Sequence, residues 1–357
     1  MGVFRQMNEQ SHERVCFHHD EKTGLRAIVA IHSTNLGNAL GGTRRWYYNT
    51  EEDGLYDVLR LSAGMTYKAA CANLPMGGAK SVILLPEPGA QPSESEARAM
   101  GRFVDTFHGE YIAAEDVGVT PQFVDWMAME TNHVMGGEKV SKGGDPSPYT
   151  ARGVVNGMKA CLTHLGKTES FQGVSVAIQG LGHVGYNVAQ IVTRDGGTVY
   201  AADIHEDHVK QAERELGVKP LSTDEILTTK CDILAPCALG GVIDAKSVSR
   251  LNCSVVCGGA NNILDDPDED ALALKQAGII YAPDFVVNAG GLIRLAGLYL
   301  GMSESQIDQK IAQIEQTTTQ ILEQGNTLSS THAAAIEIGR QRIAQGGSAK
   351  RVTASMG

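Results

Sequence analysis

One stretch in the second half of the chain limits the possible folds more than any other. Residues 174–179 form a short apolar strand pattern that runs directly into Gly180-Leu-Gly182-His-Val-Gly185, and an apolar helix pattern follows over 186–192. In such a unit the glycines allow a tight turn, close approach of the backbone to a pyrophosphate, and close packing of helix on strand. The free N–H groups at the helix start attract phosphate. The stretch therefore predicts a dinucleotide-binding unit.

The end of the next predicted strand, residues 198–202, indicates whether the unit binds NAD or NADP. It ends at Asp203, whose carboxylate can accept hydrogen bonds from the adenosine ribose hydroxyls and would repel a 2′-phosphate. Ile204 and His205 supply no Arg or Lys to offset that repulsion. The sequence therefore favours NAD over NADP, and a Rossmann-like domain that binds no ligand is the alternative.

The remainder of this half repeats the alternation of strand and helix. Further short apolar strands are predicted at 232–235, 254–257 and 279–282, which indicates a parallel sheet with crossover helices. The last fifty residues have a helical apolar pattern, which predicts packing helices.

The first third of the chain mixes strands and helices around a core of its own. Strands are predicted at 25–32 and 81–85, and helix starts at Thr50 and Ser93, each followed three residues later by an acidic residue. The helix after Ser93 has an apolar stripe of Ala97, Met100, Phe103, Val104 and Phe107. This pattern predicts an N-terminal α/β domain.

A glycine- and proline-rich stretch divides the two halves. Residues 136–148 contain four glycines and two prolines, a composition that indicates a hinge rather than a regular element. We therefore expect an α/β protein of two domains: residues 1–135, a hinge at 136–149, and a Rossmann-type doubly wound NAD-binding domain at 150–330. The C-terminal helices, from about residue 330 to 357, are expected to pack back on the first domain.

Composition excludes several classes of partner. The formal net charge is −11 and no basic run is present, which argues against nucleic acid. The seven cysteines do not have the spacing of zinc ligands and are expected to be free thiols, so no metal is predicted. The chain shows no signal-peptide pattern and no stretch of about 18 apolar residues, so we expect a cytoplasmic protein without membrane contact.

Two lysines in an unusual setting are candidate catalytic residues. Lys68 and Lys80 lie in a stretch of small and apolar residues, with Gly77 and Gly78 beside the second lysine. Burial and a neighbouring cation lower the pKa of an amine and make it a plausible base. The alternative is that both side chains reach solvent. Asp116 follows an apolar strand pattern and lies either in a cleft or in a solvated turn.

Seven motifs together resemble one known family, the leucine, phenylalanine, valine and glutamate dehydrogenases. They extend over nearly the whole chain and read Gly-Asn-Ala-Leu-Gly-Gly-Thr-Arg (37–44), Gly-Met-Thr-Tyr-Lys (64–68), Leu-Pro-Met-Gly-Gly-Ala-Lys (74–80), Ala-Glu-Asp-Val-Gly (114–118), Ala-Pro-Cys-Ala-Leu-Gly-Gly (235–241), Gly-Ala-Asn-Asn (259–262) and Ala-Pro-Asp-Phe-Val-Val-Asn-Ala-Gly-Gly (282–291). The resemblance implies NAD-dependent oxidative deamination of an L-amino acid, with the first domain binding substrate. It implies chemistry in a cleft between domains that closes about the hinge.

The resemblance also implies a role for each matched residue. Lys80 would activate water and Asp116 would exchange a proton with the amino nitrogen. Lys68 would bind the α-carboxylate with Asn288 and the backbone near Gly41 and Gly42. Asn262 would position substrate and nicotinamide, and Thr150 would contact the nicotinamide carboxamide. The implied cofactor-binding set is Gly180, Gly182, His183, Val184, Gly185, Asp203, Thr150, Cys237, Ala238 and Asn262.

Substrate choice depends on the residues that match the family's side-chain pocket, namely Leu40, Ala114, Leu292 and Leu295. None of them is a Lys or Ser that could hold a second carboxylate, so glutamate is disfavoured. Leu40 and Ala114 resemble the leucine and valine enzymes, whereas Leu295 resembles the phenylalanine enzymes. Arg294 and Cys257 depart from the family pattern and leave the choice open. A branched-chain substrate is favoured, with an aromatic one as the alternative.

Two other classes of protein compete with this interpretation. A Rossmann dehydrogenase of 2-hydroxy acids would rely on a His with an Arg rather than on two lysines. A non-catalytic sensor of NAD or amino acid would be expected to have lost Lys80 or Asp116, and both are present.

The resemblance further implies a homo-oligomer, either a dimer or an octamer.

Overall fold

The structure is a computed structural model that describes residues 2–138 and 144–354, with side chains described to residue 346. Residues 139–143 of the predicted hinge and 355–357 of the predicted C-terminal helices lie outside the described residues. The chain divides into two compact units. Unit 1 comprises Met1–Gly144, Leu295–Met302 and Gly339–Gly357, and unit 2 comprises Asp145–Arg294 and Ser303–Ile338. Both units are therefore discontinuous in sequence. The predicted boundaries join the C-terminal helices to the first domain but do not include the segment Leu295–Met302 in it.

Unit 1 is built on a mixed sheet. Its elements are α1 (Val3–Gln10), β1 (Arg14–Asp20), β2 (Leu25–Ser33), β3 (Ala39–Trp46), α2 (Glu51–Cys71), β4 (Gly77–Leu84), α3 (Glu94–Asp105), β5 (Tyr111–Glu115) and α4 (Pro121–Met127). In the described residues the strands form one sheet in the order β1-β2-β4-β3-β5. Strand β3 pairs in parallel with β4 and with β5, whereas β2 is antiparallel to β1 and β4.

The helix starts predicted in unit 1 are confirmed. At the start of α2 the Thr50 side chain accepts a hydrogen bond from Asp53 N at 3.1 Å, and the Asp53 carboxylate accepts one from Thr50 N at 3.0 Å. Ser93 caps α3 by accepting a bond from Glu96 N at 3.2 Å. The predicted apolar stripe of α3 is buried in the core of the unit.

Unit 2 is built on a parallel sheet. Its elements are α5 (Ser147–His164), β6 (Ser175–Gln179), α6 (His183–Arg194), β7 (Thr198–Ala202), α7 (Glu206–Leu216), β8 (Lys219–Pro220), β9 (Ile233–Pro236), a short 3-10 turn (Val248–Arg250), β10 (Val255–Val256), α8 (Pro267–Gln276), β11 (Ile280–Tyr281), α9 (Asp284–Val287), the start of α10 (Gly290–Tyr299), α11 (Glu304–Gly325) and the start of α12 (Thr331–Ala354). The later residues of α10 and α12 belong to unit 1. The strand order is β11-β10-β9-β6-β7-β8, and every pairing is parallel. The predicted doubly wound, Rossmann-type sheet is confirmed.

The start of α5 differs from the prediction that no regular element occupies residues 136–148. The helix begins at Ser147 and contains Pro148 in its first turn. A proline is tolerated there because the first N–H groups of a helix have no partner within it, and its fixed φ suits the helix. A proline in a turn-like stretch can therefore open a helix.

The C-terminal helix supplies a contact within unit 1. Arg342 Nη1 donates to the carbonyl oxygens of Ala70 and Cys71 at 2.9 and 2.7 Å. Because the last carbonyls of a helix lack partners within it, this arginine caps the C-terminus of α2.

Two properties of the whole chain complete the description. All seven cysteines are free, and four of them are buried. In the part of the chain that the structure describes, no helix is both long and apolar enough to cross a membrane.

Candidate active site

In unit 1, glycines let the elements that carry the candidate residues approach one another closely. A Cβ at Gly78 would lie 2.1 Å from Thr66 N of α2, and a Cβ at Gly41 would lie 1.6 Å from the oxygen of Ala79. Neither distance can accommodate a side chain. The absence of side chains therefore allows α2 to pack directly on β4, and β3 to lie flush against β4.

The structure brings together Lys80 and Asp116, the two residues predicted to be catalytic. Lys80 lies in β4, Asp116 follows β5, and the Nζ atom is 3.0 Å from Asp116 Oδ2. The Lys80 side chain is 7% exposed and that of Asp116 is 19% exposed. The alternative that Lys80 reaches solvent is therefore wrong, and Asp116 is not in a freely solvated turn.

A third charged residue, Arg44 of β3, joins this pair. Its Nε lies 3.0 Å from Asp116 Oδ2, the same oxygen that Lys80 contacts, and its Nη1 lies 2.9 Å from Asp57 Oδ2 of α2. Asp57 also accepts hydrogen bonds from Tyr48 Oη at 2.7 Å and from Arg60 Nη2 at 3.0 Å. The cluster thus alternates cations and carboxylates across β4, β3 and α2.

The electrostatics of the cluster suit a proton-transfer site. Burial lowers the pKa of Lys80 below its usual value, with Asp116 opposing the shift and the Arg44 cation adding to it. For Asp116 burial acts to raise the pKa, but Lys80 and Arg44 together outweigh it, so its pKa is lowered. Asp116 is therefore an ionised carboxylate beside an amine that loses its proton more readily than an ordinary lysine.

A line of buried hydroxyl groups fixes the three strands beneath the cluster. Ser81 Oγ lies 2.9 Å from Thr43 Oγ1 and 2.9 Å from Tyr111 Oη, and Tyr111 Oη donates to the Gly41 carbonyl at 3.0 Å. These contacts link β4, β3 and β5 by side chains as well as by the sheet. Because buried hydroxyl groups are costly to leave unpaired, they hold the register of the three strands.

The other predicted substrate residues of unit 1 lie on α2, β3, β5 and α10. Lys68 is half-buried on α2, two residues beyond Thr66. Leu40 pairs with Ile112 and Gly42 with Ala114 in the register of β3 and β5, and Leu40 and Ala114 are both buried. Leu295 is half-buried within the α10 part of unit 1.

In unit 2 two glycines of the G-x-G-x-x-G turn are required by the local structure, and the third leaves the helix start open. Gly180 adopts φ +94°, a conformation that other residues rarely take. A Cβ at Gly185 would lie 1.9 Å from the Gly180 oxygen, so only glycine allows α6 to pack there. A Cβ at Gly182 would meet no described atom within 4 Å, and as the N-cap of α6 this residue makes no side-chain hydrogen bond. The turn therefore fits a pyrophosphate at the open N-terminus of α6.

Asp203 lies at the end of β7 and connects to this turn. Its Oδ2 accepts a hydrogen bond from Leu181 N at 2.6 Å, and its Oδ1 accepts one from His205 N at 2.8 Å. Burial acts to raise the pKa of Asp203, but the two backbone donors and the nearby His208 together outweigh it and the pKa is lowered. An ionised carboxylate with remaining lone pairs can still accept bonds from ribose hydroxyls.

The turn after β9 packs against the turn from Gly180 to Gly185. A Cβ at Gly180 would lie 2.7 Å from Ala238 Cβ, and Cys237 Sγ accepts a hydrogen bond from Gly259 N at 3.4 Å. On α6, Val184 lies beside Gly259, whereas the His183 side chain is 82% exposed. Most of the residues predicted to bind cofactor therefore lie around the carboxyl ends of β6, β7 and β9, the edge where open α/β sheets bind ligands.

Two asparagines occupy the neighbouring loops of unit 2. Asn262 is exposed at φ +54°, and its backbone oxygen accepts a bond from Gly241 N at 2.7 Å. Asn288 is 3% exposed, and its Nδ2 donates to the Ala260 oxygen at 3.2 Å and to Asn261 Oδ1 at 2.9 Å. The Asn288 Oδ1 atom is buried without a partner among the described residues. A polar atom left unpaired in this way is suited to a ligand's donor.

The last predicted residues of unit 2 lie where α5 and α10 begin. A Cβ at Gly291 would lie 2.8 Å from Thr150 Oγ1, so the two helix starts are in close contact. Leu292 is buried on α10. Arg294 contacts Glu304 and stacks 4.8 Å from the centre of the Tyr149 ring, which explains how an arginine is accommodated at this position.

Sequence reasoning missed Arg44 and Asp57. Arg44 ends the motif at 37–44, and the alternation of side chains along β3 was the signal that it faces the cluster. For Asp57 no local signal existed, because an acidic residue in the second turn of a helix is ordinary.

Comparison with known proteins identifies the same dehydrogenase family in both halves of the chain. The model "Glu/Leu/Phe/Val dehydrogenase, dimerisation domain" matches residues 12–133, and the model "Glutamate/Leucine/Phenylalanine/Valine dehydrogenase" matches residues 144–205 and 202–350. The chain is 42% identical to leucine dehydrogenase of Geobacillus stearothermophilus over 315 residues, which cover 88% of this chain and 85% of that one. It is 41% identical to phenylalanine dehydrogenase of Lysinibacillus sphaericus, covering 88% and 84%.

A solved structure extends the likeness to the fold. The crystal structure of L-tryptophan dehydrogenase from Nostoc punctiforme superposes with a TM-score of 0.85 at 36% identity, covering 96% of this chain and 99% of that one. The family models together match most of the chain, and each relative is well above 30% identical. The chain therefore belongs to the glutamate/leucine/phenylalanine/valine dehydrogenase family, NAD(P)-dependent amino-acid dehydrogenases that are oxidoreductases acting on the CH–NH₂ group of their donors.

Proposed function

We propose that this dehydrogenase catalyses the reversible, NAD-dependent oxidative deamination of an apolar L-amino acid, with leucine or valine favoured, to the 2-oxo acid and ammonia. The observation that carries the proposal is the buried contact between Lys80 and Asp116, at 3.0 Å. It places a base of lowered pKa beside an ionised carboxylate, which is the pair that removal of an amino group requires.

The residues of unit 1 carry the proton transfers in this proposal. Asp116 accepts a proton from the substrate ammonium group, which leaves a neutral amine able to release hydride from Cα. Bound NAD supplies the acceptor for that hydride. Lys80 then takes a proton from water as its oxygen attacks the iminium carbon, which forms a carbinolamine. Asp116 returns its proton to the carbinolamine nitrogen. Ammonia then leaves as the hydroxyl group gives its proton to solvent and the C=O bond of the 2-oxo acid forms.

Substrate binding is assigned to the residues that match the family's substrate-binding motifs. Lys68 pairs with the α-carboxylate, assisted by the backbone at Gly41 and Gly42. Asn288 is assigned to the α-carboxylate with Lys68. Its Oδ1 is the atom without a partner, and an oxygen cannot donate to a carboxylate, so this role requires the amide to turn and present Nδ2. Leu40, Ala114, Leu292 and Leu295 are the residues assigned to the apolar side chain, because they match the positions of the family's side-chain pocket.

Cofactor binding is assigned to unit 2. The turn from Gly180 to Gly185, with His183, Val184, Cys237 and Ala238 around it, holds the pyrophosphate, and Thr150 and Asn262 contact the nicotinamide end. NAD is preferred over NADP because the ionised Asp203 repels a 2′-phosphate. No Arg or Lys adjoins Asp203 in sequence to reverse that preference.

An aromatic substrate is the second candidate, favoured by one observation. The chain is 38% identical over 348 residues to a protein named L-tryptophan dehydrogenase from Nostoc punctiforme, and the match covers 96% of both. The identities to leucine, phenylalanine and tryptophan enzymes are too similar to decide between them. A non-catalytic sensor is disfavoured because the pair of Lys80 and Asp116 is intact.

The proposal includes a homo-oligomer, either a dimer or an octamer, in the cytoplasm. The description of the N-terminal family model as a dimerisation domain supports self-association. The seven free cysteines suit a reducing compartment.

The test is the rate of NADH formation with NAD and each of L-leucine, L-valine, L-phenylalanine, L-tryptophan and L-glutamate. We expect the highest kcat/KM with leucine or valine and no measurable rate with glutamate. A lead by phenylalanine or tryptophan would keep the mechanism and establish the aromatic alternative. Folded protein that binds NADH but oxidises no amino acid would refute the proposal in favour of the sensor.

A further inference from the structure

Arg44 is a charged residue of the cluster for which the mechanism above has no role. Its side chain is 21% exposed and contacts two carboxylates, Asp116 through Nε at 3.0 Å and Asp57 through Nη1 at 2.9 Å. A guanidinium group can span two carboxylates because its donors form a rigid planar fork, whereas a lysine has a single nitrogen. The contact therefore depends on arginine specifically.

The two cations beside Asp116 use the same oxygen atom. Lys80 Nζ and Arg44 Nε each lie 3.0 Å from Oδ2. Among the described residues no side chain donates to Oδ1 of Asp116. The carboxylate is thus held by one edge and keeps its other oxygen available for a proton.

Arg44 is itself anchored from the helix side. Asp57, its second partner, also binds Tyr48 Oη at 2.7 Å through Oδ2 and Arg60 Nη2 at 3.0 Å through Oδ1. The Asp57 side chain is only 14% exposed. With three donors on it, Asp57 cannot rotate away without losing several bonds, so it fixes the guanidinium group that in turn holds Asp116.

We infer that Arg44 is a positioning residue: it holds Asp116 through Oδ2 so that Oδ1 is presented to the substrate nitrogen, and it keeps that carboxylate in place while Lys80 acts as the base. This inference rests on the proposed function. A neutral Lys80 no longer forms an ion pair with Asp116. Arg44 stays charged at every pH of interest, so it maintains the contact through the catalytic cycle.

The same geometry gives Arg44 an influence on the working pH. The charged and titratable groups that face Lys80 or its partners are Asp116, Arg44, Asp57, Tyr48 and Tyr111. After burial, the acidic partner Asp116 favours the charged amine and the Arg44 cation opposes it, so Arg44 lowers the pKa of Lys80. Loss of Arg44 removes that repulsion and leaves Asp116 to Lys80 alone, and both changes favour the protonated amine.

The test compares the pH dependence of kcat/KM for the full-length enzyme with its Arg44→Gln and Arg44→Lys variants. In Arg44→Gln we expect the acidic limb of the profile to move to higher pH by about 1 unit, so that activity on that limb falls about tenfold. In Arg44→Lys the charge is retained but the fork is lost. We expect its acidic limb to lie closer to that of the parent than the limb of Arg44→Gln does, because the charge is retained. We expect kcat to stay below that of the parent, because the fork is lost.

Arg45 is the matched control, because it is the next residue of β3 and is also a buried arginine. Its Nε contacts Glu96 at 2.9 Å and its side chain is 6% exposed, on the opposite side of the strand from Arg44. Arg45→Gln should lower the melting temperature without moving the acidic limb. An equal shift in this variant would mean that any loss of a buried arginine produces the effect, and would overturn the inference.

A second readout measures the Lys80 amine without turnover. Competitive labelling with acetic anhydride, followed by peptide mass spectrometry, gives the reactivity of Lys80 as a function of pH. We expect its midpoint to rise in Arg44→Gln and to be unchanged in Arg45→Gln. If the parent enzyme is active but the Lys80 midpoint is unchanged in Arg44→Gln, the inference about Arg44 is refuted and the proposed function is not. A parent enzyme that oxidises no amino acid would refute the proposed function and the inference with it.

Discussion

Lys80 Nζ and Asp116 Oδ2 lie 3.0 Å apart although Lys80 lies in β4 and Asp116 follows β5, and both side chains are largely shielded from water. The contact depends on β3, which pairs with β4 on one side and β5 on the other. The pair is therefore a product of the sheet's strand order rather than of any local sequence pattern.

Replacing Asp116 by Asn should remove proton exchange while keeping the size of the side chain. We expect kcat/KM to fall about 100-fold or more, since an amide cannot accept the proton of the substrate ammonium group. Steady-state kinetics with the best amino acid would measure the loss. Asp105→Asn is the control, because Asp105 accepts a bond from Thr131 Oγ1 at 2.9 Å in the same unit and has no proposed role in the chemistry. Equal activities of the two variants would contradict the role of Asp116.

The parts of the molecule that could be predicted from sequence are those determined locally. The turn from Gly180 to Gly185 was recognisable because Gly180 and Gly185 meet steric demands within their own βαβ unit. The caps at Thr50 and Ser93 were recognisable because donor and acceptor are three residues apart.

The parts that could not be predicted depend on long-range packing. Arg44 and Asp57 meet only because α2 packs beside β3, and nothing near either residue encodes that contact. From the sequence alone, a buried and a solvent-exposed Lys80 side chain were equally plausible. The structure distinguishes them, because every residue of β4 is buried. The start of α5 was misplaced because a proline can either end a helix or begin one.

Asp203→Ser should weaken the preference for NAD. The variant removes the negative charge that opposes a 2′-phosphate and keeps a small acceptor for the ribose. We expect the ratio of kcat/KM for NAD to that for NADP to fall about tenfold or more, chiefly through a lower KM for NADP. Initial rates with both cofactors at saturating amino acid measure the ratio. An unchanged ratio would exclude Asp203 as the discriminating residue.

Leu295→Ala should shift the substrate preference toward larger side chains. Shortening one wall of an apolar pocket changes relative binding by about 1–3 kcal/mol, so kcat/KM for phenylalanine relative to leucine should rise about tenfold. Leu300→Ala is the control, since Leu300 is 39% exposed and lies beyond the end of α10. A ratio that responds equally in both variants would place the pocket elsewhere.

The stability of unit 1 should depend on a pair of buried histidines. Burial, with the neighbouring His32, lowers the pKa of His12 to about 4, and burial lowers the pKa of His32 as well. In the unfolded chain these groups take up protons near pH 6.5, so between that pH and about 4 the unfolded state binds more protons. The contribution of these neutral histidines to the free energy of unfolding is therefore complete above pH 6.5 and is lost as the pH falls through this window. For His12 the loss is at most about 3 kcal/mol.

Thermal unfolding at pH 7.5 and pH 5 tests this dependence. His12→Gln keeps a donor for the Leu59 carbonyl, which the histidine contacts at 3.0 Å, but it cannot be protonated. We expect a smaller drop in melting temperature for this variant than for the parent protein. Exposed His19→Gln should show the same drop as the parent. A full drop in His12→Gln would assign the acid sensitivity to other groups.

The most direct test of the mechanism is Lys80→Ala, assayed both for turnover and for binding of NADH by fluorescence titration. We predict that kcat falls about 1000-fold or more, since water attack loses its base, while the Kd for NADH changes by less than about twofold because the dinucleotide residues belong to unit 2. Retention of more than about a tenth of the parent kcat would show that Lys80 is not the base. Loss of NADH binding would contradict the assignment of the cofactor to unit 2.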